Sequence, residues 1–187
     1  MKKKNYLLLF ILTVGMINSC SESESKQFEH AGGTFKMAMS HEPATLEARK
    51  ITDVYSSRVL GQVLEGLVAL NPKTMVAEPS LAKKWTVSED GKTINFLLRD
   101  DVYFHNHKLI GSDRKFTAED VKYSIELACS NKMGEEPSSA YSGIYRNVLV
   151  GAKEFFEGKT DEIAGIEIIN DYELTLTLEE RDVNFIN

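Results

Sequence analysis

The sequence of this chain predicts an α/β fold, because segments with strand periodicity and segments with helix periodicity alternate along it. Apolar residues recur at every second position around residues 35–39, 94–98 and 174–178. Between these segments they recur every three or four positions, which is the spacing of a helix with one buried face. This mixture excludes a helical bundle and an all-β sandwich, and the chain contains no internal repeat.

The first predicted elements are a half-buried strand and a helix. The strand is predicted over residues 35–39, where Phe, Met and Met alternate with less apolar residues. The helix is predicted from a capping residue, Asp53, to Leu67, with apolar residues at helical spacing. Glu65 and Gly66 would then form its last turn and its end.

A short strand, a turn and a short helix are predicted next. The turn is expected at Asn71–Pro72 and the helix start at Pro79–Ser80, because proline fits the first position of a helix. A hairpin follows, with its turn at Asp90–Gly91. The alternate residues of its second arm, 94–98, are predicted to face inward.

Two further helices and a second hairpin complete the prediction. Thr117 is expected to cap the first helix, and Phe116 and Val121 occupy the two positions of a hydrophobic staple. Its core-facing stripe is expected to comprise Val121, Ser124, Ile125 and Ala128. Residues 130–143 are predicted to be a loop. The second helix is predicted over "YRNVLVGAKEFFEGK", and the last hairpin turns at residues 170–171.

The amino terminus has the features of an export signal. Three lysines precede an uncharged, mostly apolar run at residues 6–17. A bilayer span needs about 20 apolar residues, so this run fits the core of a signal peptide. The pattern before Cys20 resembles a bacterial lipobox, so residues 1–19 are expected to be a lipoprotein signal peptide and Cys20 to carry lipid. An ordinary cleaved signal with an incidental cysteine is the alternative. The polar, acidic residues 20–32 predict a flexible tether.

The charge of the chain excludes some partners. Removal of residues 1–19 deletes three lysines and no acid, which leaves 19 basic and 28 acidic side chains and a formal charge of −9. That sign argues against nucleic acid and against anchoring by attraction to anionic lipid. With Cys20 lipidated, Cys129 is the other cysteine, so no disulfide within the chain is expected.

Two histidines in "VYFHNHK" raise the question of a metal site. His105 and His107 are two residues apart, which in a strand places both rings on one face. A metal ion needs three or four protein ligands as a rule, and the chain has four histidines in all. We therefore predict no metal and interpret both residues as surface-loop or strand-end residues.

The order of several motifs resembles that of the solute-binding proteins of peptide-type ABC importers, family 5. These motifs are "HEPATLEA", "QVLEGLVALNP", "PSLAKKWTVSEDGKTINFLLRDDVYFH", "FTAEDVKYSIE" and "GIEIINDYELTLTLEE". The chain departs from the family pattern at Leu46-Glu47-Ala48, where Leu-Asp-Pro is usual, and at Arg181, where proline is usual.

This resemblance implies the N-terminal portion of a two-lobed periplasmic-binding-protein-like fold of the class II type, with an extra subdomain on lobe I. Residues 33–187 would supply the start of lobe I and most of that subdomain, and the second lobe would follow. The implied function is capture of peptides or similar small solutes in the cell envelope and delivery to the permease. The implied partners are the ligand, the permease subunits and, through the N-terminal lipid, the membrane.

The resemblance also implies candidate ligand-binding residues. In the family the loop after the first strand borders the cleft, and here that loop contains His41, Glu42 and Ala44. Glu42 could accept hydrogen bonds from a ligand amide or ammonium, or it could be a solvated carboxylate. Tyr141 could present its ring and hydroxyl to the ligand, or it could simply pack.

Two other classes of function remain as alternatives. The first is an enzyme, which we do not expect because no nucleophile elbow, phosphate loop or metalloprotease pair is present, and no cofactor is implied. The second is a lipoprotein of the same fold that serves signalling or adhesion instead of transport. Within transport, the ligand could also be a nickel chelate, haem or an oligosaccharide.

Overall fold

The computed structural model describes residues 33–34, 36–131 and 137–186. The chain divides into two units, residues 1–38 and residues 39–187, and every helix and strand below belongs to the second. The predicted signal peptide, Cys20 and the tether lie outside the described residues. Within the described ranges, no helix is both long enough and apolar enough to cross a membrane.

The prediction of a strand at residues 35–39 is wrong for residues 36–39, the part of it that the structure describes. Phe35 lies outside the described residues, and residues 36–39 form no strand. Met37, expected to be half-buried, is 49% exposed. Apolar alternation makes a strand only where a neighbouring strand supplies hydrogen bonds, and neither sheet among the described residues includes this segment.

Helix α1 spans Val54–Leu60, and the predicted cap at Asp53 is confirmed. The Asp53 carboxylate accepts hydrogen bonds from the amides of Tyr55 and Ser56, each at 2.9 Å. The predicted extension to Leu67 is wrong, because the helix ends at Leu60 and Gly61 follows as its C-cap. Glycine lowers helix stability by about 1 kcal/mol relative to alanine, which favours an end at this point. Glu65 and Gly66 therefore lie outside the helix.

Strands β1 (Val68–Leu70) and β2 (Ala77–Pro79) form a small antiparallel sheet. The turn predicted after β1 is confirmed, since the Asn71 side chain accepts hydrogen bonds from the two amides that follow Pro72. The helix start predicted at Pro79–Ser80 is wrong. Pro79 instead ends the short edge strand β2. Proline has no amide hydrogen to donate, and an edge strand tolerates this.

The main sheet has four antiparallel strands in the order β3-β4-β6-β5. Their bounds are Ala82–Val87, Thr93–Leu98, Ile166–Asn170 and Glu173–Thr177 for β3 to β6. Both predicted hairpins are confirmed, β3–β4 and β5–β6. One face of the sheet is the core, since these inward-facing side chains are buried: Ile94, Phe96, Leu98, Leu174 and Leu176.

Helix α2 (Ala118–Cys129) packs against the buried face of the main sheet. The predicted start is confirmed: Thr117 and Asp120 form a capping box, and the Asp120 carboxylate accepts from the Thr117 amide at 2.9 Å. Val121 and Ile125 are buried as predicted, whereas Ser124, assigned to the same stripe, is exposed. The stripe runs instead along Ala118, Val121, Ile125 and Cys129.

Helix α3 (Ala152–Phe156) is shorter than predicted. Gly151, with φ of 80°, precedes it in the left-handed conformation, which an α-helix cannot continue through. Upstream, Leu149 pairs with Leu178 in an isolated β-bridge instead of a helix. The loop predicted at residues 130–143 contains the start of a short π-helical turn, Tyr141–Tyr145, and residues 132–136 lie outside the described residues.

Candidate ligand-binding loop

The loop that precedes α1 contains three of the four ligand-binding candidates predicted from the sequence. This loop, residues 40–47, is called the candidate loop below. His41, Glu42 and Ala44 are all exposed on it, whereas Pro43 and Thr45 are partly buried. The alternation of exposed and covered residues gives the loop one face toward solvent and one face toward the protein. The sequence-predicted residues thus share an accessible surface.

His41 forms a pair with Tyr55, a residue that the sequence did not single out. The His41 Nδ1 atom lies 3.0 Å from the Tyr55 hydroxyl, and the two ring centroids are 5.2 Å apart at an angle of 47°. Tyr55 reaches the loop because it stands in the first turn of α1, directly after the cap residue Asp53. Its position two residues after the predicted cap Asp53 is the feature of the sequence that could have identified Tyr55.

Two carboxylates of the candidate loop differ in their surroundings. Glu47 forms ion pairs with Arg49 and Lys50, and the hydrogen bonds from Arg49 and then Lys50 lower the pKa of the Glu47 carboxyl. The exposed Glu42 carboxylate makes no hydrogen bond or ion pair with another residue in the part of the chain that the structure describes. Glu42 therefore has more free acceptor capacity for a ligand than Glu47.

Tyr141, the fourth candidate, is in the core and not on the candidate loop. Its side chain is 2% exposed, and its ring stacks on Phe156 at 4.1 Å between centroids. Burial raises the pKa of the Tyr141 hydroxyl. This environment corresponds to the packing interpretation of Tyr141, and a ligand contact remains a prediction that its burial disfavours.

His105 and His107 lie in an exposed hairpin between residues 103 and 115. The His107 Nδ1 atom accepts a hydrogen bond from the Leu109 amide at 3.2 Å, so this ring helps to shape the hairpin tip. Across the described ranges, no group of three or more His, Cys, Asp or Glu side chains is placed to hold a metal ion. His107 therefore has a local structural role.

A groove of about 760 Å³ is lined by α2, by two residues of the main sheet and by the surrounding loops. Its lining is mostly apolar and includes Val63, Leu64, Phe116, Ile144, Phe185 and Ile186. Two carboxylates line the groove, those of Glu65 and Asp120, and Asp120 already accepts from the Thr117 amide and from Arg114. The groove lining is mostly apolar, whereas the candidate loop exposes the free carboxylate of Glu42.

Comparison with known proteins identifies relatives by sequence. Residues 76–187 match the profile of the family described as bacterial extracellular solute-binding proteins, family 5 middle. The dipeptide-binding protein of Lactococcus lactis subsp. cremoris is 35% identical over 73% of this chain, and that of Escherichia coli is 32% identical over 64%. The chain spans 23% and 21% of the lengths of these two relatives.

The fold is also similar to solved structures. A periplasmic oligopeptide-binding protein of Borrelia burgdorferi superposes with a TM-score of 0.68 at 32% identity. The match covers 78% of this chain and 27% of that protein. This similarity confirms the predicted fold class, a mixed α/β portion of the periplasmic-binding-protein-like fold. The family match covers more than half of the chain, and the chain therefore belongs to the bacterial extracellular solute-binding proteins of family 5.

Proposed function

We propose that this chain is part of a solute-binding protein that captures peptides outside the cytoplasmic membrane and delivers them to an ABC importer. The observation that carries the proposal is the match to an oligopeptide-binding protein in both sequence and fold. The two relatives described as dipeptide-binding proteins support the same class of ligand.

We further propose that the chain belongs to a longer protein with two lobes. The relatives are about four to five times longer than the aligned part of this chain, which supports this arrangement. Residues 1–19 would be the signal peptide, residues 20–32 the tether, and residues 33–187 the first part of the solute-binding domain. Closure of two lobes around the ligand would then enclose it.

In this function the candidate loop supplies polar contacts on one side of the cleft. The free Glu42 carboxylate accepts hydrogen bonds from the ammonium or amide groups of a peptide, and His41 and Ala44 lie beside it. Bridging waters between loop and ligand side chains would allow many peptide sequences to bind. The function requires binding and release alone, so no side chain is assigned a catalytic role.

The decisive experiment measures peptide binding by the full-length protein. Native mass spectrometry identifies the co-purifying ligand, and calorimetry then compares wild type with Glu42→Gln. Loss of a hydrogen bond to a charged group predicts affinity lower by about tenfold or more. Glu47→Gln is the matched control, because Arg49 and Lys50 already occupy that carboxylate. A wild-type protein without any peptide ligand would contradict the proposal.

The location of the protein is proposed to depend on lipid at Cys20. In cells, Cys20→Ser should move the protein from the membrane fraction to the soluble fraction, because serine has no thiol to form the thioether bond to the lipid. A variant that stays in the membrane fraction would show that another anchor exists.

Incubation of purified protein with its peptide, followed by mass spectrometry, tests the enzyme alternative, and we expect intact peptide.

A further inference from the structure

We propose that Ser56 and Asp53 are positioning residues that hold the candidate loop in the shape that binds ligand. This inference rests on the proposed function of the loop and adds two residues that do not touch the ligand themselves. It also explains why a polar side chain is buried at this place. Among the described residues, Ser56 is the one polar residue whose side chain is fully buried.

The Ser56 hydroxyl links helix α1 to the candidate loop. It donates a hydrogen bond to Oδ2 of Asp53 at 2.5 Å and accepts one from the Thr45 amide at 3.1 Å. A serine hydroxyl can donate one hydrogen bond, and Ser56 donates it to Asp53. The Ser56 oxygen is therefore left as an acceptor, which fixes the direction of the bond from Thr45.

The Asp53 carboxylate holds both elements at once. Its Oδ1 atom accepts from the first-turn amides of α1, and its Oδ2 atom accepts from the Ser56 hydroxyl, which in turn accepts from the Thr45 amide of the candidate loop. The bond from the Ser56 hydroxyl makes the largest contribution to lowering the pKa of Asp53. The residue that caps the helix thus also ties the candidate loop to the helix.

Two contacts hold the candidate loop against α1, one on either side of Glu42. His41 contacts Tyr55 before it, and the Thr45 amide donates to the Ser56 hydroxyl after it. Glu42 has no tie of its own within the described part of the chain, so its position depends on these flanking contacts. A loop that is ordered before binding loses less conformational freedom when the ligand arrives.

Hydrogen exchange in the ligand-free, full-length protein tests the positioning directly. In Ser56→Ala the Thr45 amide loses its acceptor, and its exchange should become about tenfold faster. Ser57→Ala is the matched control, because the Ser57 hydroxyl bonds to the Asp53 carbonyl in the same turn without touching the loop. Unchanged exchange at Thr45 in Ser56→Ala would overturn the inference, whether or not the protein binds peptide.

A double-mutant cycle on affinity separates positioning from general stability. With trialanine as the probe, Ser56→Ala should weaken binding by about tenfold in the wild-type background. In the Glu42→Gln background the same change should have little further effect, because Ser56 acts through the loop. Additive losses would overturn the inference. A wild-type protein that fails to bind trialanine counts against the proposed function, and the exchange measurement then decides the positioning role alone.

Discussion

Gly165 donates a hydrogen bond from its amide to the Val150 carbonyl oxygen at 2.8 Å, and a Cβ atom added at Gly165 would lie 2.7 Å from that same oxygen. The added atom would also lie 2.8 Å from the carbonyl oxygen of Thr177. The Thr177 amide in turn donates to the Gly165 carbonyl at 2.8 Å. Backbone hydrogen bonds therefore join Gly165, just before β5, to Val150 and to Thr177 at the end of β6, and they leave no room for a side chain.

Substitution of Gly165 by alanine is expected to destabilise the protein by about 1–3 kcal/mol, because backbone atoms must move to admit the methyl group. Urea denaturation of the purified protein measures the change. Gly143→Ala is the control, since no described atom outside its chain neighbours and its own helical turn lies within 4 Å of its added Cβ, and its backbone is not left-handed. Equal stability losses in the two variants would contradict this account of Gly165.

The thiol of Cys129 is expected to be unreactive in the folded protein. Burial, and then the nearby charge of Glu126, raises the pKa of Cys129 from 9.0 to about 12. The thiolate fraction near neutral pH is then roughly a thousandfold smaller than for an exposed cysteine. Labelling of a Cys20→Ser protein with a thiol reagent should be slow until denaturant is added. Ser142→Cys, at an exposed position, should label at once, and fast labelling of native Cys129 would refute the prediction.

The parts of the fold that could be predicted are those that local sequence specifies. Alternating apolar residues predict the second arm of each hairpin of the main sheet, and Gly91, with φ of 73°, lies in the connection between Val87 and Thr93 as predicted. A capping box determines the start of α2 at Thr117. In both cases the residues that give the signal are also the ones that make the contacts.

The predictions fail where the backbone departs from the local periodicity or where contacts join distant residues. Val63 and Leu64 have helical spacing, yet they lie beyond the end of α1 and are 68% and 52% exposed. The helix predicted across Gly151 fails because that residue is left-handed, a property that the sequence does not reveal. Likewise, the contact of His41 with Tyr55 joins residues fourteen positions apart, so no local pattern predicts it.

Two substitutions of Tyr141 should distinguish packing from ligand contact. Tyr141→Ala removes a buried ring stacked on Phe156 and should destabilise the protein by about 3–5 kcal/mol. Tyr141→Phe keeps the ring, so stability should change little if the ring's packing is what matters. Thermal denaturation and peptide calorimetry are measured on both variants. A weaker affinity in Tyr141→Phe with unchanged stability would show that the hydroxyl contacts the ligand, as the sequence resemblance implied.

The acid sensitivity of α1 is expected to depend on the bond between Ser56 and Asp53. The pKa of Asp53 is lowered in the folded protein, first by the Ser56 hydroxyl and then by the Ser56 amide. The unfolded chain therefore binds the proton more tightly than the folded chain does. This contribution to stability is present above the unfolded pKa of about 4 and is lost as the pH falls through the lower, folded pKa.

Carbon-13 NMR titration of the Asp carboxyl groups measures this effect. In Ser56→Ala the pKa of Asp53 should rise toward its ordinary value, because the largest cause of its lowering is removed. Asp90 is an internal control: the Ser88 hydroxyl and the Lys92 amide lower its pKa, and neither contact changes in the variant. An unaltered Asp53 pKa in Ser56→Ala would mean that the backbone amides alone hold the carboxylate, and the link between helix cap and loop would then be absent.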